Sequence, residues 1–201
     1  MLEAWQKALT EIGMFNTMEV IAVVTALVYI VLASKGNRWC FLFGLISSLI
    51  YVYITFQLNF FFDVGINAYY VIMSFYGWGA WSKQTNPSAV KVQQISFKQL
   101  AITLILGAVI FLTLGAIADE HSSAELAYFD AFTTVFAIIA TYMVVKRQIE
   151  NWLIWIVVDA VAAGMYFYKE LYFTTLLFLV YTLVAVFGYL KWKKLLDLNL
   201  K

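Results

Sequence analysis

Trp152, Trp155, Asp159 and Tyr166 follow one another at intervals of three, four and seven residues. On an α-helix that spacing puts two indoles, a carboxylate and a phenol on one face. The combination suits a flat, cationic heteroaromatic ligand: indole faces stack on it and attract its charge, and the carboxylate complements that charge. A desolvated aromatic contact of this kind contributes about 1–2 kcal/mol. The bland alternative makes Trp152 an interfacial belt residue and Trp155 a packing residue. A second stripe, Asp63, Asn67, Tyr70, Ser74, Gly77 and Trp81, is spaced four, three, four, three and four. Asn67 both donates and accepts hydrogen bonds, so it should face other helices or a wet cavity; its alternative role is interhelical adhesion at about 0.6 kcal/mol. Thr174, Phe178, Tyr181, Ala185, Gly188 and Trp192 form a third stripe at similar spacing. Gly77 and Gly188 read as close helix-packing points, and Gly44, Ser47, Ser48 and Tyr51 as residues that let their helix approach others.

Other chemistry is poorly supplied. One histidine, His121, in a polar connection, and one cysteine, Cys40, in an apolar run, leave no multi-histidine metal site, triad or redox pair to assemble. The expectation is therefore no catalytic residues, no metal and no cofactor. There is no phosphate-binding GxxxxGK[ST] loop, so ATP hydrolysis by such a site is not available to drive movement.

The elements that must position these stripes are membrane helices. Of 201 residues, 64% are hydrophobic and 12% charged, with mean hydropathy +0.84, a composition for a bilayer. Disorder is excluded by the same figures. A balance of 13 Lys+Arg against 12 Asp+Glu offers no basic face for nucleic acid. A span needs roughly 20 apolar residues, and seven such runs occur, over 17–33, 39–56, 60–81, 100–118, 127–145, 152–168 and 172–192. Breaks as short as Gln57-Leu58-Asn59 and Lys169-Glu170 make successive helices antiparallel neighbours. The longest connection, 82–98, holds the only proline, Pro87, and is the best linker. Residues 1–14 have amphipathic helical spacing (Leu2, Trp5, Leu9, Ile12) and should lie in the interface; they do not read as a signal peptide.

Carboxylates inside spans are costly and by default mark function. Glu19, Asp63 and Asp130 lie near helix ends, where solvation or capping explains them equally well; Asp159 is the deepest. Counting Lys and Arg on alternate sides gives only Lys7 and Lys169 on the N-terminal side and the remaining eleven opposite. The N-terminus is then outside and the C-terminus in the cytoplasm, with Asp119, Glu120, His121 and Glu125 in an acidic outer loop.

The chain also matches itself. Trp39 and Tyr53 pair with Trp152 and Tyr166 at a shift of 113; after a two-residue gap Tyr70, Gly77 and Trp81 pair with Tyr181, Gly188 and Trp192. The fold expected is an all-α integral membrane protein of seven helices: a first three-helix repeat (15–82), a cytoplasmic linker (83–98), a crossover helix (99–119), a second repeat in the same orientation (120–194) and a cytoplasmic tail (195–201). Parallel repeats of this kind hold solute between their halves near mid-depth, so a carrier is the leading class. A membrane enzyme would need a nucleophile or metal set that is missing; a receptor or structural protein is the other alternative.

With residues 150–159 (ENWLIWIVVD), the aromatic stretch 166–173 and YGWGAW at 76–81, the chain resembles the PnuC family of vitamin transporters over essentially its whole length. The resemblance implies facilitated diffusion of nicotinamide riboside or a related B-vitamin across the bacterial inner membrane. A cytoplasmic vitamin kinase would trap the substrate by phosphorylation, and a homo-oligomer is left open. It also implies that Trp152 and Trp155, which match the family's Asn-Trp-x-x-Trp motif, line the substrate site. Asn67 stands where nicotinamide riboside transporters tend to have Gln, and Asp159 where some have Asn. Nicotinamide riboside is the first expectation as the family's principal substrate, thiamine the second and riboflavin a distant third. The substrate-binding set expected is Trp152, Trp155, Asp159, Asn67, Tyr70, Asp63, Tyr166 and Tyr181.

Overall fold

The computed structural model of the protein describes residues 6–7, 17–58, 60–82, 91–121 and 126–199. Within them the apolar runs become seven helices: α1 Thr17–Ser34, α2 Cys40–Gln57, α3 Phe61–Ser82, α4 Phe97–His121, α5 Ala127–Val145, α6 Asn151–Tyr168 and α7 Tyr172–Asn199. Six are long and apolar enough to cross a bilayer; the seventh, α3, is diluted by Asp63, Asn67, Ser74 and three glycines. Residues 83–90, which include Pro87, and all but Gln6 and Lys7 of the amphipathic N-terminal segment lie outside the described residues. Lys7 pairs with Glu170.

Three expected boundaries move. Helix α4 continues through Asp119, Glu120 and His121, so these three lie in its last turn rather than in a loop. The His121 ring Nδ1 sits 3.0 Å from the Ile117 carbonyl four residues back, one helical turn away. Helix α4 also starts at Phe97, inside the expected linker, and α7 runs on to Asn199, taking in residues assigned to a tail.

The tight turns explain the antiparallel neighbours. After α1, Gly36 adopts φ 67°; its N–H donates to Ala33 O (2.9 Å) and that of Asn37 to Leu32 O (3.0 Å). This is the left-handed helix stop that glycine tolerates at no steric cost. After α5 the same turn is made by Arg147 at φ 56°, with Arg147 N–H to Val144 O (2.8 Å) and Gln148 N–H to Met143 O (2.9 Å).

Packing then follows a circuit: α1 on α2, α2 on α3, α3 on α5, α5 on α6, α6 on α7 and α7 back on α1, while α4 rests on α5. Six helices thus close a ring with α4 outside it. The two junctions α3–α5 and α7–α1 carry matching clamps. Trp81 Nε1 donates to Val145 O at 3.0 Å and Trp192 Nε1 to Ala33 O at 3.3 Å, and the two indoles meet at 6.2 Å between centroids. Phe41 stands edge-on to Trp81 (4.9 Å, 86°) and Trp152 edge-on to Trp192 (5.4 Å, 87°). Each lies over a glycine: a Cβ on Gly77 would come 2.1 Å from the Phe41 ring, and one on Gly188 2.7 Å from Trp152.

The place opposite Trp152 is therefore held by Phe41, 111 residues earlier, not by Trp39. Trp39 is 48% exposed and packs edge-on against Trp78. The helix starts agree, since α2 and α6 begin at Cys40 and Asn151, and α3 and α7 at Phe61 and Tyr172.

The end of the linker is tied to the α5–α6 turn. Gln93 N–H donates to Arg147 O (2.8 Å), and Ile149 N–H donates to Gln93 O (2.9 Å). Ile95 N–H donates to the Glu150 carboxylate (3.1 Å). This strap holds the residues immediately before Asn151 and Trp152.

Candidate functional site

Asp159 lies in the middle of α6 and is 3% exposed; its Oδ2 is buried with no hydrogen-bond partner among the described residues. It interacts electrostatically with Tyr70 of α3 and Tyr181 of α7. Helices α6 and α3 are not neighbours in the ring, so the electrostatic interaction between Asp159 and Tyr70 acts across it. An inward-facing carboxylate with an unused lone pair is costly unless something cationic or hydrogen-bonding completes it.

Further tyrosines extend this set of electrostatic interactions. Tyr181 also interacts with Tyr51 of α2, Tyr51 with Tyr166 of α6 and with Glu19, and Tyr166 with Asp63 and Asp130. A Tyr166–Phe178 stack (5.1 Å, 19°) and an edge-on Phe178–Tyr181 pair (5.7 Å, 90°) fasten this wall to α7. Tyr70 interacts in turn with Tyr29 of α1. The interior therefore grades from Asp159, with Tyr70 and Tyr181, toward Tyr166, Asp63 and Asp130 at the opposite end from the tryptophan clamps.

The expected residues separate into three groups. Asp159, Tyr70 and Tyr181 come together; Trp155, half-buried one turn before Asp159, packs against the Ala140 and Val158 cluster. Tyr166 and Asp63 belong to the far end, and Asn67 donates its amide to Asp63 O at 2.8 Å, a bond within its own helix. Trp152 is 1% exposed, edge-on to Trp192 over the notch at Gly188, and its buried Nε1 has no hydrogen-bond partner among the described residues. Sequence reading missed Tyr29 and took Tyr51 for a packing residue. The signal available for Tyr51 was its phase with Ser48 and Gly44, and Tyr29 had none, because it sits in a uniformly apolar run.

Some polar groups outside the interior are paired, whereas Arg147 Nε, Glu150 Oε2, Asn151 Oδ1 and Trp152 Nε1 are buried without a hydrogen-bond partner among the described residues. Ser47 Oγ donates to Ala22 O (2.9 Å), joining α2 to α1, and Tyr69 OH donates to Ile138 O (2.9 Å), joining α3 to α5. At the α5–α6 turn, burial pushes the Glu150 carboxyl above its ordinary value and lowers Arg147; the Arg147 guanidinium lies 4.8 Å over the Trp81 ring. Lys146 donates to Tyr76 OH (2.6 Å) and is raised chiefly by that bond. A cleft of about 610 Å³ between α3, α4 and α5 is lined by Tyr69, Gln99, Thr103, Ile138, Tyr142 and Gln148, among others, and includes neither Asp159 nor Trp155.

Comparison with known proteins agrees with this architecture. The family described as "Nicotinamide mononucleotide transporter" matches residues 16–194. The nicotinamide riboside transporter PnuC of Escherichia coli (strain K12) is 22% identical, over 87% of this chain and 84% of that protein. The PnuC protein of Neisseria mucosa is 26% identical, over 87% of this chain and 71% of its own length. A solved structure described as the vitamin B3 transporter PnuC superposes with a TM-score of 0.73 at 23% identity, over 96% of this chain and 88% of that one, which establishes the shared fold. A match across nearly the whole chain makes this a multi-pass membrane transporter rather than an enzyme, and the protein belongs to the nicotinamide mononucleotide transporter family, that of the PnuC proteins.

Proposed function

We propose that the protein carries nicotinamide riboside into the cell by facilitated diffusion, in the bacterial inner membrane, with its N-terminus outside. The observation that carries this reading is the unpartnered, inward-facing oxygen of Asp159 beside Tyr70 and Tyr181. A pyridinium ring supplies the missing positive charge, Trp155 a stacking surface and the tyrosine hydroxyls hydrogen bonds to the ribose. Tyr166, Asp63 and Asn67 would act on the path to the site, and Trp152 would set the angle of α6 on α7.

The chemistry favours the riboside over the mononucleotide. A phosphate needs cationic or N–H partners, whereas Asp159 repels it and no Lys or Arg lies between Arg38 and Lys83 or between Arg147 and Lys169. Thiamine is the second reading, because its thiazolium is also a flat cation that Asp159 would complement.

The repeated turns, the paired tryptophan clamps and the common offset of 111 residues support a chain of two parallel three-helix repeats joined by the crossover helix α4. Phosphorylation by a cytoplasmic kinase would then make equilibrative flux unidirectional. Proteoliposomes test this directly: labelled nicotinamide riboside should equilibrate and stop, and should accumulate when a riboside kinase and ATP are enclosed. Accumulation against a gradient without kinase would refute facilitated diffusion.

A further inference from the structure

The offset of 111 residues places Gly44 opposite Trp155, Ser48 opposite Asp159 and Tyr29 opposite Ala140. In the second half, the large ring comes from α6, where Trp155 packs against the cluster containing Ala140, which is fully buried. In the first half the sizes are exchanged: the large ring is Tyr29 on α1, and the small partner is Gly44 on α2. The exchange is physical and not only alphabetical. A Cβ on Gly44 would come 3.0 Å from Tyr29 Cδ2 and 3.3 Å from Cε2, with Ser74 Oγ at 3.5 Å, so the Tyr29 ring occupies the space that the glycine leaves. Tyr29 interacts electrostatically with Cys40, Tyr70 and Tyr69, and Tyr70 with Asp159. Each half therefore packs one aromatic ring of its first helix pair against a small residue of the other helix, and only the second half carries a carboxylate at the matching position of that pair, Asp159 against Ser48.

We propose that Tyr29 is a substrate-contacting residue, the second aromatic wall of the central site, held in place by Gly44 and facing a flat heteroaromatic cation from the side away from Trp155. This rests on the reading of the interior as a vitamin site. A duplicated scaffold with one charged wall and one neutral aromatic wall fixes which way such a ligand lies, because a single carboxylate gives the charge one place to go. Gly44 is then a positioning residue, because it makes the room that the Tyr29 ring occupies.

Calorimetric titration of nicotinamide riboside into detergent-purified protein, with unfolding temperature measured in parallel, tests the assignment. Tyr29→Phe keeps the ring and should bind within about twofold of wild type. Tyr29→Leu keeps bulk and loses the π face, and should weaken binding about tenfold, the loss of one cation–π partner, while its unfolding temperature is retained. Gly44→Ala should weaken binding when Tyr29 is present and have no further effect in Tyr29→Leu, since it acts by displacing that ring. Wild-type affinity in Tyr29→Leu, or in folded Gly44→Ala should the leucine variant fail to fold, overturns the assignment alone. If wild type binds thiamine instead, the same comparisons are read with thiamine; wild type that binds neither vitamin overturns the functional reading and the assignment with it.

Discussion

At the scale of single residues, the case for a cation site is a matter of uncompensated groups. Most buried polar atoms of a folded protein find partners; among the described residues Asp159 Oδ2 does not, nor do Asn151 Oδ1 and Trp152 Nε1 at the start of the same helix or Arg147 Nε and Glu150 Oε2 at the turn before it. Replacing Asp159 by Asn should weaken nicotinamide riboside more than its neutral, dihydropyridine form, measured as the two dissociation constants; equal losses would make Asp159 structural. Trp155→Ala should cost about 1–3 kcal/mol of binding, the range for one lost aromatic stacking partner, with insertion unaffected; unchanged affinity would remove Trp155 from the site. Asp159 stands out in the sequence because a carboxylate amid Ile, Val and Ala is costly and by default marks function. Trp152 was harder to read. Its membership in the Asn-Trp-x-x-Trp motif points to substrate, and the structure adds a packing contact with Trp192, 40 positions away, which no periodicity displays, while its Nε1 is left unpartnered among the described residues.

At the scale of elements, glycines decide how closely helices meet. Gly77→Ala would drive a methyl into the Phe41 ring, and overpacking of this kind costs about 1–3 kcal/mol. Gly79→Ala meets nothing within 4 Å and should be neutral or slightly stabilising, since alanine is the better helix former by about 0.5–1 kcal/mol. Unfolding in detergent separates the two; equal effects would contradict the packing described. The strap from the linker to the α5–α6 turn makes a pH prediction. Burial raises the Glu150 carboxyl, so the folded state holds that proton more tightly than the unfolded chain. Its contribution is present at low pH and is lost as pH rises from the unfolded carboxyl value through the raised one. Glu150→Gln keeps an acceptor for Ile95 N–H and removes the buried charge, so it should raise the unfolding temperature at neutral pH and flatten that part of the pH profile; a profile identical to wild type would contradict it. Helix number and most boundaries could be read from hydropathy alone. The end of α4 could not, because Asp119, Glu120 and His121 look like a loop while their backbone still completes helical hydrogen bonds.

At the scale of the whole molecule, six helices close a ring whose two junctions are fastened at the same end by Trp81 and Trp192, while the tyrosine-lined interior runs past Asp159 toward the carboxylates at the other end. Spaced Trp, Gly and Tyr suggest a self-similarity in which helix two matches at a shift of 113, because tryptophan aligns best with tryptophan. Packing aligns Phe41 with Trp152 instead, since an edge-on ring over a glycine notch is what the site requires, whichever aromatic supplies it. The most direct test of the account is a titration of detergent-purified protein with nicotinamide riboside, nicotinamide mononucleotide, thiamine and riboflavin, following tryptophan fluorescence. The account predicts a saturable quench by nicotinamide riboside, with the phosphorylated mononucleotide bound at least tenfold more weakly; equal or tighter binding of the mononucleotide would contradict a site built around an unpaired carboxylate.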